Sequence, residues 1–191
     1  MILGITGGTG CGKTTLLKAI EARGGMVLDC DAIYHELLHS DREMLAAIET
    51  RFPGVFEEGI LNRKKLGAIV FVDEQALQDL NRITHGAVKR EVLRRLETFP
   101  KHAAIDAIGL FEGGLAELCD VTVAVTAPVE DRVRRLVARD GISEEYARAR
   151  IGAQHEQQWF RQRCDAELVN NGNLDAFATK CLAFLDTMGI M

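Results

Sequence analysis

Gly7-Gly8-Thr9-Gly10-Cys11-Gly12-Lys13-Thr14 has the spacing G-x-x-x-x-G-K-[ST] and follows directly on the apolar run Ile2-Leu3-Gly4-Ile5-Thr6. Glycines at these positions let backbone N–H groups turn inward around an anion. The lysine adds a point charge for the outer phosphates of a nucleotide, and the threonine hydroxyl suits Mg²⁺. Gly8, Gly10, Cys11, Gly12, Lys13, Thr14 and Thr15 are therefore the predicted nucleotide-binding set, with Thr14 as the metal ligand. Leu16, Leu17 and Ile20 then recur at helical spacing until Gly24-Gly25, so a strand leads into the loop and a helix leads out of it, the context this chemistry requires.

Phosphoryl transfer also needs a base for the attacking hydroxyl and further positive charge. Met26-Val27-Leu28 reads as a second strand, running into Asp29-Cys30-Asp31 and a helix over Ala32–Leu38. Ligands of open α/β sheets bind beyond the carboxyl ends of the strands, which predicts both aspartates beside the phosphate loop. One of them reads equally well as the helix cap. Asp31 is the carboxylate best suited to orient a hydroxyl. Asp31, His35 and His39 share one helical face, but beside a loop built for Mg²⁺ and oxygen ligands they read as a polar face rather than a transition-metal site. The helix from Val129 to Asp140, with Pro128 at its first turn and Gly141 after its end, carries Arg132, Arg134, Arg135 and Arg139. Arg139, at the end entering a helical hairpin over 139–156, is the predicted mobile charge, and the hairpin is the predicted lid. Arg132 and Arg148 read as solvated helix face. Cys11 sits at a helix N-terminus, where a thiol is acidified, but a small buried residue filling the loop is the favoured reading.

The elements that position these groups follow from periodicity. Strands near 2–6, 26–28, 103–109, 121–125 and 167–169 alternate with helices, which predicts one α/β domain with a five-stranded parallel sheet and helices on both faces. From Ser40 to Pro100 the pattern is helical and lacks strands. Met44, Leu45 and Ile48 form one stripe, and Leu77, Leu80, Ile83, Ala87, Val92 and Leu96 form another after Asp73. Arg51-Phe52-Pro53-Gly54 and Glu57-Glu58-Gly59 read as loops. This stretch, about 40–100, is the predicted acceptor subdomain. Ser143-Glu144-Glu145 starts another helix, and Leu174, Phe177, Cys181, Phe184 and Leu185 make an amphipathic closing one.

With 23 basic and 28 acidic residues the net charge is −5, which argues against a dedicated nucleic-acid binder. Five cysteines without a C-x-x-C pair or a secretory segment, and no apolar run approaching about 20 residues, predict a soluble cytoplasmic protein without membrane contact. Oligomeric state is not legible. A guanine-reading Asn-Lys-x-Asp is absent from the Asn170-Asn171-Gly172-Asn173 stretch, which favours ATP. These residues alone leave three readings open: a kinase for a small acceptor, a kinase for nucleotides or nucleosides, and a nucleotide switch.

Thr6 through Thr15, Asp29-x-Asp31, Gly59-x-Leu61-x-Arg63-x-x-Leu66, His85, Leu110-x-Glu112, Arg139-Asp140-Gly141, Gln154 and Asn170-x-Gly172 together resemble the dephospho-coenzyme A kinase family over almost the whole chain. The resemblance implies a P-loop kinase that uses ATP and Mg²⁺ to phosphorylate the ribose 3′-hydroxyl of dephospho-CoA, the last step of coenzyme A synthesis. It implies Asp31 as general base, Lys13 and Arg139 as γ-phosphate stabilisers, and Asp31, Arg63, His85, Leu110 and Glu112 at the acceptor. Three departures stand out: His85-Gly86 where His-Pro is usual, Ile108-Gly109-Leu110-Phe111-Glu112 where Pro-Leu-Leu-x-Glu is usual, and Cys30 between the aspartates. Gly86 and Gly109 are expected to loosen two places around the acceptor.

Overall fold

A computed structural model describes residues 1–98 and 101–190 of the 191. They divide into two compact units, Met1–Leu28 with Thr98–Met191, and Asp29–Glu97.

The first unit is built on a sheet of β1 (Ile2–Thr6), β2 (Met26–Asp29), β5 (Ala103–Asp106), β6 (Val121–Thr126) and β7 (Ala166–Val169), in the order β2-β5-β1-β6-β7. β1 pairs in parallel with β5 and β6, and β6 pairs in parallel with β7. Central strands of such a sheet are covered on both faces, so they are mostly apolar, with Thr6, Thr122 and Thr126 buried among the aliphatic residues. Leu3, Ile5, Val123 and Val125 are fully buried accordingly. The core continues into α1 (Lys13–Ala22) and α9 (Leu174–Thr187), whose Leu16, Ile20, Phe177, Cys181 and Leu185 pack together. α6 (Val129–Asp140), α7 (Glu144–Gly152) and α8 (Gln157–Arg163) lie between β6 and β7 in the chain. α6 begins after Pro128 and stops at Gly141, whose φ of 65° is the left-handed stop that a glycine supplies without strain. α8 carries no long apolar stripe and was not legible in the sequence.

The third strand is shorter than the 103–109 expected. After Asp106 the chain leaves the sheet, and the Ile108 carbonyl is taken by the Thr6 hydroxyl at 3.1 Å. A turn follows in which Gly113 donates to the Gly109 carbonyl at 2.9 Å and Leu115 to the Leu110 carbonyl at 3.0 Å. Gly109 is thus held by its own turn rather than loosened.

The second unit contains α2 (Cys30–Ser40), α3 (Arg42–Arg51), α4 (Arg63–Val70) and α5 (Glu74–Leu96), with α2, α3 and α4 each packed on α5. Ile33, Leu37, Met44, Ile48, Val88 and Val92 are buried there. α5 starts on the Asp73 cap, and Leu77, expected in its apolar stripe, is instead 39% exposed. Gly86 lies exposed within that unbroken helix. Residues 99 and 100, the end of the stretch expected to be helical, lie outside the described residues. The stretch does contain strands: β3 (Phe56–Glu57) and β4 (Ile60–Leu61) pair antiparallel around a two-residue turn. Glu58 at φ 50° and Gly59 at φ 80° have the left-handed backbone that lets two residues reverse a twisted hairpin. In the sequence the Glu-Gly signal reads as a loop, because strands of two residues are too short to show alternation.

Candidate active site

The phosphate loop runs from the end of β1 to the start of α1. A new helix leaves its first amides without intrahelical acceptors, and its dipole favours an anion at that end. Gly12, at φ 100°, supplies the turn into α1, and a Cβ there would stand 2.3 Å from Asn170 Nδ2. Lys13 Nζ donates to the Gly7 carbonyl at 3.0 Å.

The loop is shaped chiefly by what holds its carbonyls. Arg132 Nε donates to the Thr9 carbonyl at 2.8 Å, Arg135 Nη1 to that of Gly10 at 3.2 Å, and Asn170 Nδ2 to that of Cys11 at 2.9 Å. With Lys13 on Gly7, four loop oxygens each accept from a different side chain, so these acceptors are satisfied by protein and their backbone is fixed in place. Arg135 also bonds Asn170 at its side-chain oxygen (3.1 Å), which joins two of the ties. Arg132 contradicts its expected place on a solvated face: it is 2% exposed. An arginine on an amphipathic helix reads as surface by periodicity, and only the tertiary fold shows that this one lies beneath the loop. Gly8 is glycine for the same reason, since a Cβ there would stand 2.3 Å from Arg132 Nη2.

Asp106 ends β5, next to β1 in the sheet, and its Oδ1 lies 3.9 Å from Lys13 Nζ. The sequence showed it only as a carboxylate in an apolar run. P-loop enzymes hold Mg²⁺ with the loop hydroxyl and a strand-end aspartate, and the hard oxygens of Thr14 and Asp106 fit that donor set. Cys11 is 1% exposed, and burial pushes its thiol up despite the nearby Arg132 and Lys13, in line with the packing role favoured from sequence.

The predicted lid is held by a small apolar cluster, Val133 and Leu136 of α6 against Ala147 and Ile151 of α7. Arg139 grips Asp140 with two bonds of 2.6 and 3.0 Å, and Arg150 joins from α7 at 2.8 Å. The hydrogen bonds from Arg139, then Arg150, hold the Asp140 carboxyl down to about 2. The side chain of Arg139 is 60% exposed, so water screens this pair and the arginine can leave it at little cost. Arg148 is the solvated-face arginine expected, paired with Glu130 and Glu144. Glu112 Oε1 lies 2.8 Å from His155 Nε2 and accepts from it in the tautomer that carries the proton there, and His155 stacks on Trp159 at 3.9 Å between ring centres. Leu110 differs from expectation: its side chain is fully buried, within reach of a Cβ at Gly4, and so supports the Glu112 turn from inside the core. A cavity of about 580 Å³ adjoins the loop through Arg135 and Asn170 and is walled by Arg134, Ala138, Asn171 and Leu174.

In the second unit, Asp29 is the cap of α2, accepting from the Ala32 N–H at 3.0 Å, and Asp31 stands in the first helical turn. Of the two aspartates, Asp29 is therefore the one that caps the helix. Arg63 begins α4 and lines a pocket of about 270 Å³ with His35, His39, Leu38, Phe56 and Ile60. His85 is half-buried on α5, outside that lining.

Strand, loop and helix in this order, with the loop carbonyls held by side chains and a lysine over them, define a P-loop phosphotransferase. The family profile for dephospho-CoA kinase matches residues 1–176. A dephospho-CoA kinase of Corynebacterium diphtheriae is 37% identical over 180 residues, covering 91% of this chain and 90% of the relative. That of Geobacillus kaustophilus is 34% identical over 191 residues, covering 97% and 95%. A Thermus thermophilus crystal structure superposes with a TM-score of 0.81 at 33% identity, over 98% of this chain and 97% of that one. The chain belongs to the dephospho-CoA kinase family.

Proposed function

We propose that this chain transfers the γ-phosphoryl group of ATP to the ribose 3′-hydroxyl of dephospho-CoA, giving coenzyme A. The observation that carries the reading is the phosphate loop with its carbonyls held by side chains, in a chain of this family. The inward amides and Lys13 bind the triphosphate, and the cavity beside Asn170 has the volume for the nucleoside. Thr14 and Asp106 would hold Mg²⁺, which when bound neutralises charge on the phosphates. Asp31 takes the proton of the attacking hydroxyl, and Arg139, released from Asp140, meets the transferring group. The pocket of Arg63, where Leu38, Phe56 and Ile60 stand beside one arginine and two histidines, suits an acceptor that joins phosphates to an apolar arm. Glu112 and His85 complete the acceptor side.

The five cysteines are free thiols, and no helix among the described residues is long and apolar enough to cross a membrane. Both fit action in the reducing cytoplasm.

The test is ADP release from Mg·ATP with dephospho-CoA, run beside AMP, CMP, UMP and deoxynucleosides. Turnover that requires dephospho-CoA supports the reading. Preference for a nucleotide or nucleoside, or slow hydrolysis indifferent to every acceptor, overturns it.

A further inference from the structure

We propose that Gln154 is a positioning residue for the donor loop, making ATP affinity depend on the docking of α7. Gln154 lies two residues past the end of α7, and its Oε1 accepts from the Thr9 N–H at 2.8 Å and from Arg132 Nη2 at 3.3 Å. Two donors converge on that atom, so the oxygen, not the NH₂, faces the loop. Arg132 Nε meanwhile donates to the Thr9 carbonyl. Thr9 is therefore held at both its N–H and its C=O by two side chains that also bond each other.

That residue sits between Gly8 and Gly10, links of the loop whose rotation no side chain restricts. Fixing the Thr9 peptide at both ends fixes the direction in which the following amides point. A Cβ on Gly8 would also stand 3.0 Å from Gln154 Oε1, so the loop has no slack on this side. The apolar contacts of Ala147 and Ile151 with Val133 and Leu136 carry α7, and Gln154 moves with it. A loop built only to bind phosphate would need no contact from a helix 145 residues later.

The inference rests on the ATP-binding reading of the loop, not on the identity of the acceptor. Its test is ATP binding by calorimetry, with amide exchange at Thr9 and steady-state kinetics on the full chain. Gln154→Met keeps length and removes the oxygen; Gln154→Glu keeps an acceptor for both donors, with Arg132 beside it to balance the charge. We expect Gln154→Met to weaken ATP binding about tenfold, the loss of roughly one partly buried hydrogen bond. Thr9 exchange should accelerate by a similar factor, while KM for dephospho-CoA stays within about twofold. Gln154→Glu should restore slow exchange and hold ATP affinity within about threefold, which separates loss of the contact from loss of the fold. ATP affinity that survives while Thr9 exchange accelerates would reduce Gln154 to a structural contact. An equal fall in ATP and acceptor affinity, or no rescue by glutamate, would also overturn the proposal. Absence of dephospho-CoA turnover in the wild type would count against the kinase reading alone, because the calorimetry does not use the acceptor.

Discussion

Replacing Gly8 with alanine isolates one physical cause in the loop. Gly8 is not among the glycines with positive φ, so its backbone accepts alanine, and the new methyl carbon would stand 2.3 Å from Arg132 Nη2 and 2.9 Å from Cζ. The tip of an arginine can retreat, so the cost is not the collision but the contacts left behind. Those are the bonds to the Thr9 carbonyl and Gln154, made by a charged donor that is 2% exposed. At about 1.5–3 kcal/mol for a hydrogen bond to a charged group, with the 3.3 Å contact weaker, Gly8→Ala should destabilise by about 3 kcal/mol. In an Arg132→Ala background the main obstacle is gone, and the close contact left is Gln154 Oε1, 3.0 Å from the new Cβ at the end of a flexible side chain. There Gly8→Ala should change stability by about 1 kcal/mol or less. The coupling energy of the cycle is then about 2 kcal/mol, well outside the ~0.5 kcal/mol expected of independent sites. Urea denaturation of the four proteins measures it. Effects that add to within 0.5 kcal/mol would refute the claim that Gly8 is small because Arg132 lies beneath the loop.

Asp31→Asn should lower kcat by about 10²–10⁴ while ATP binds as before, since a base acts in the transition state; an unchanged kcat removes Asp31 from that role. Among the described residues neither ring nitrogen of buried His102 has a hydrogen-bond partner, and burial, then the N-terminal amine and Lys101, lowers its pKa. The unfolded chain therefore binds the proton more readily, so this contribution to stability is full above about pH 6.5 and falls as pH drops below it. Thermal melts at pH 7.5 and 5.5 should show a drop that His102→Leu reduces, and an identical drop in the variant would discount His102. Burial raises the thiol pKa of Cys11, and to about 12 that of Cys119, so iodoacetamide at pH 7.5 should leave both unmodified in the folded protein. Rapid alkylation of Cys11 that ATP blocks would show an open loop instead.

The strands of the first unit and its helices other than α8 were legible because β1 and β6 are mostly apolar and helices such as α6 carry clean start and stop residues, here Pro128 and Gly141. The loop was legible for a different reason, that phosphate binding demands particular residue types at fixed spacing. What escaped were side chains whose role depends on partners far along the chain. Buried Arg132 and half-buried Arg135 share a helix with exposed Arg134, and nothing in their spacing separates the two that hold the loop from the solvated one. Asp106 was visible as a carboxylate in a strand, but its approach to Lys13 is a matter of strand order. The β3–β4 hairpin was missed because two residues per strand cannot show a period. On the acceptor side, Asp29 as cap was one of two readings allowed by sequence, and the observed bond from Ala32 decides it.

The ties on the loop also set a timetable. The residues that hold the carbonyls of Thr9, Gly10 and Cys11 lie 123, 125 and 159 positions further along the chain. A ribosome therefore releases the nucleotide loop well before Asn170, and the loop cannot be completed until Asn170 has emerged and β7 has joined the sheet. At about 5–20 residues per second the loop waits on the order of ten seconds or more for its last tie. Nascent chains stalled before Asn170 emerges should have the glycines and the lysine and still fail to retain ATP. The nucleotide is then a reporter of completed synthesis, recognising the motif only after the far end of the domain has closed around it.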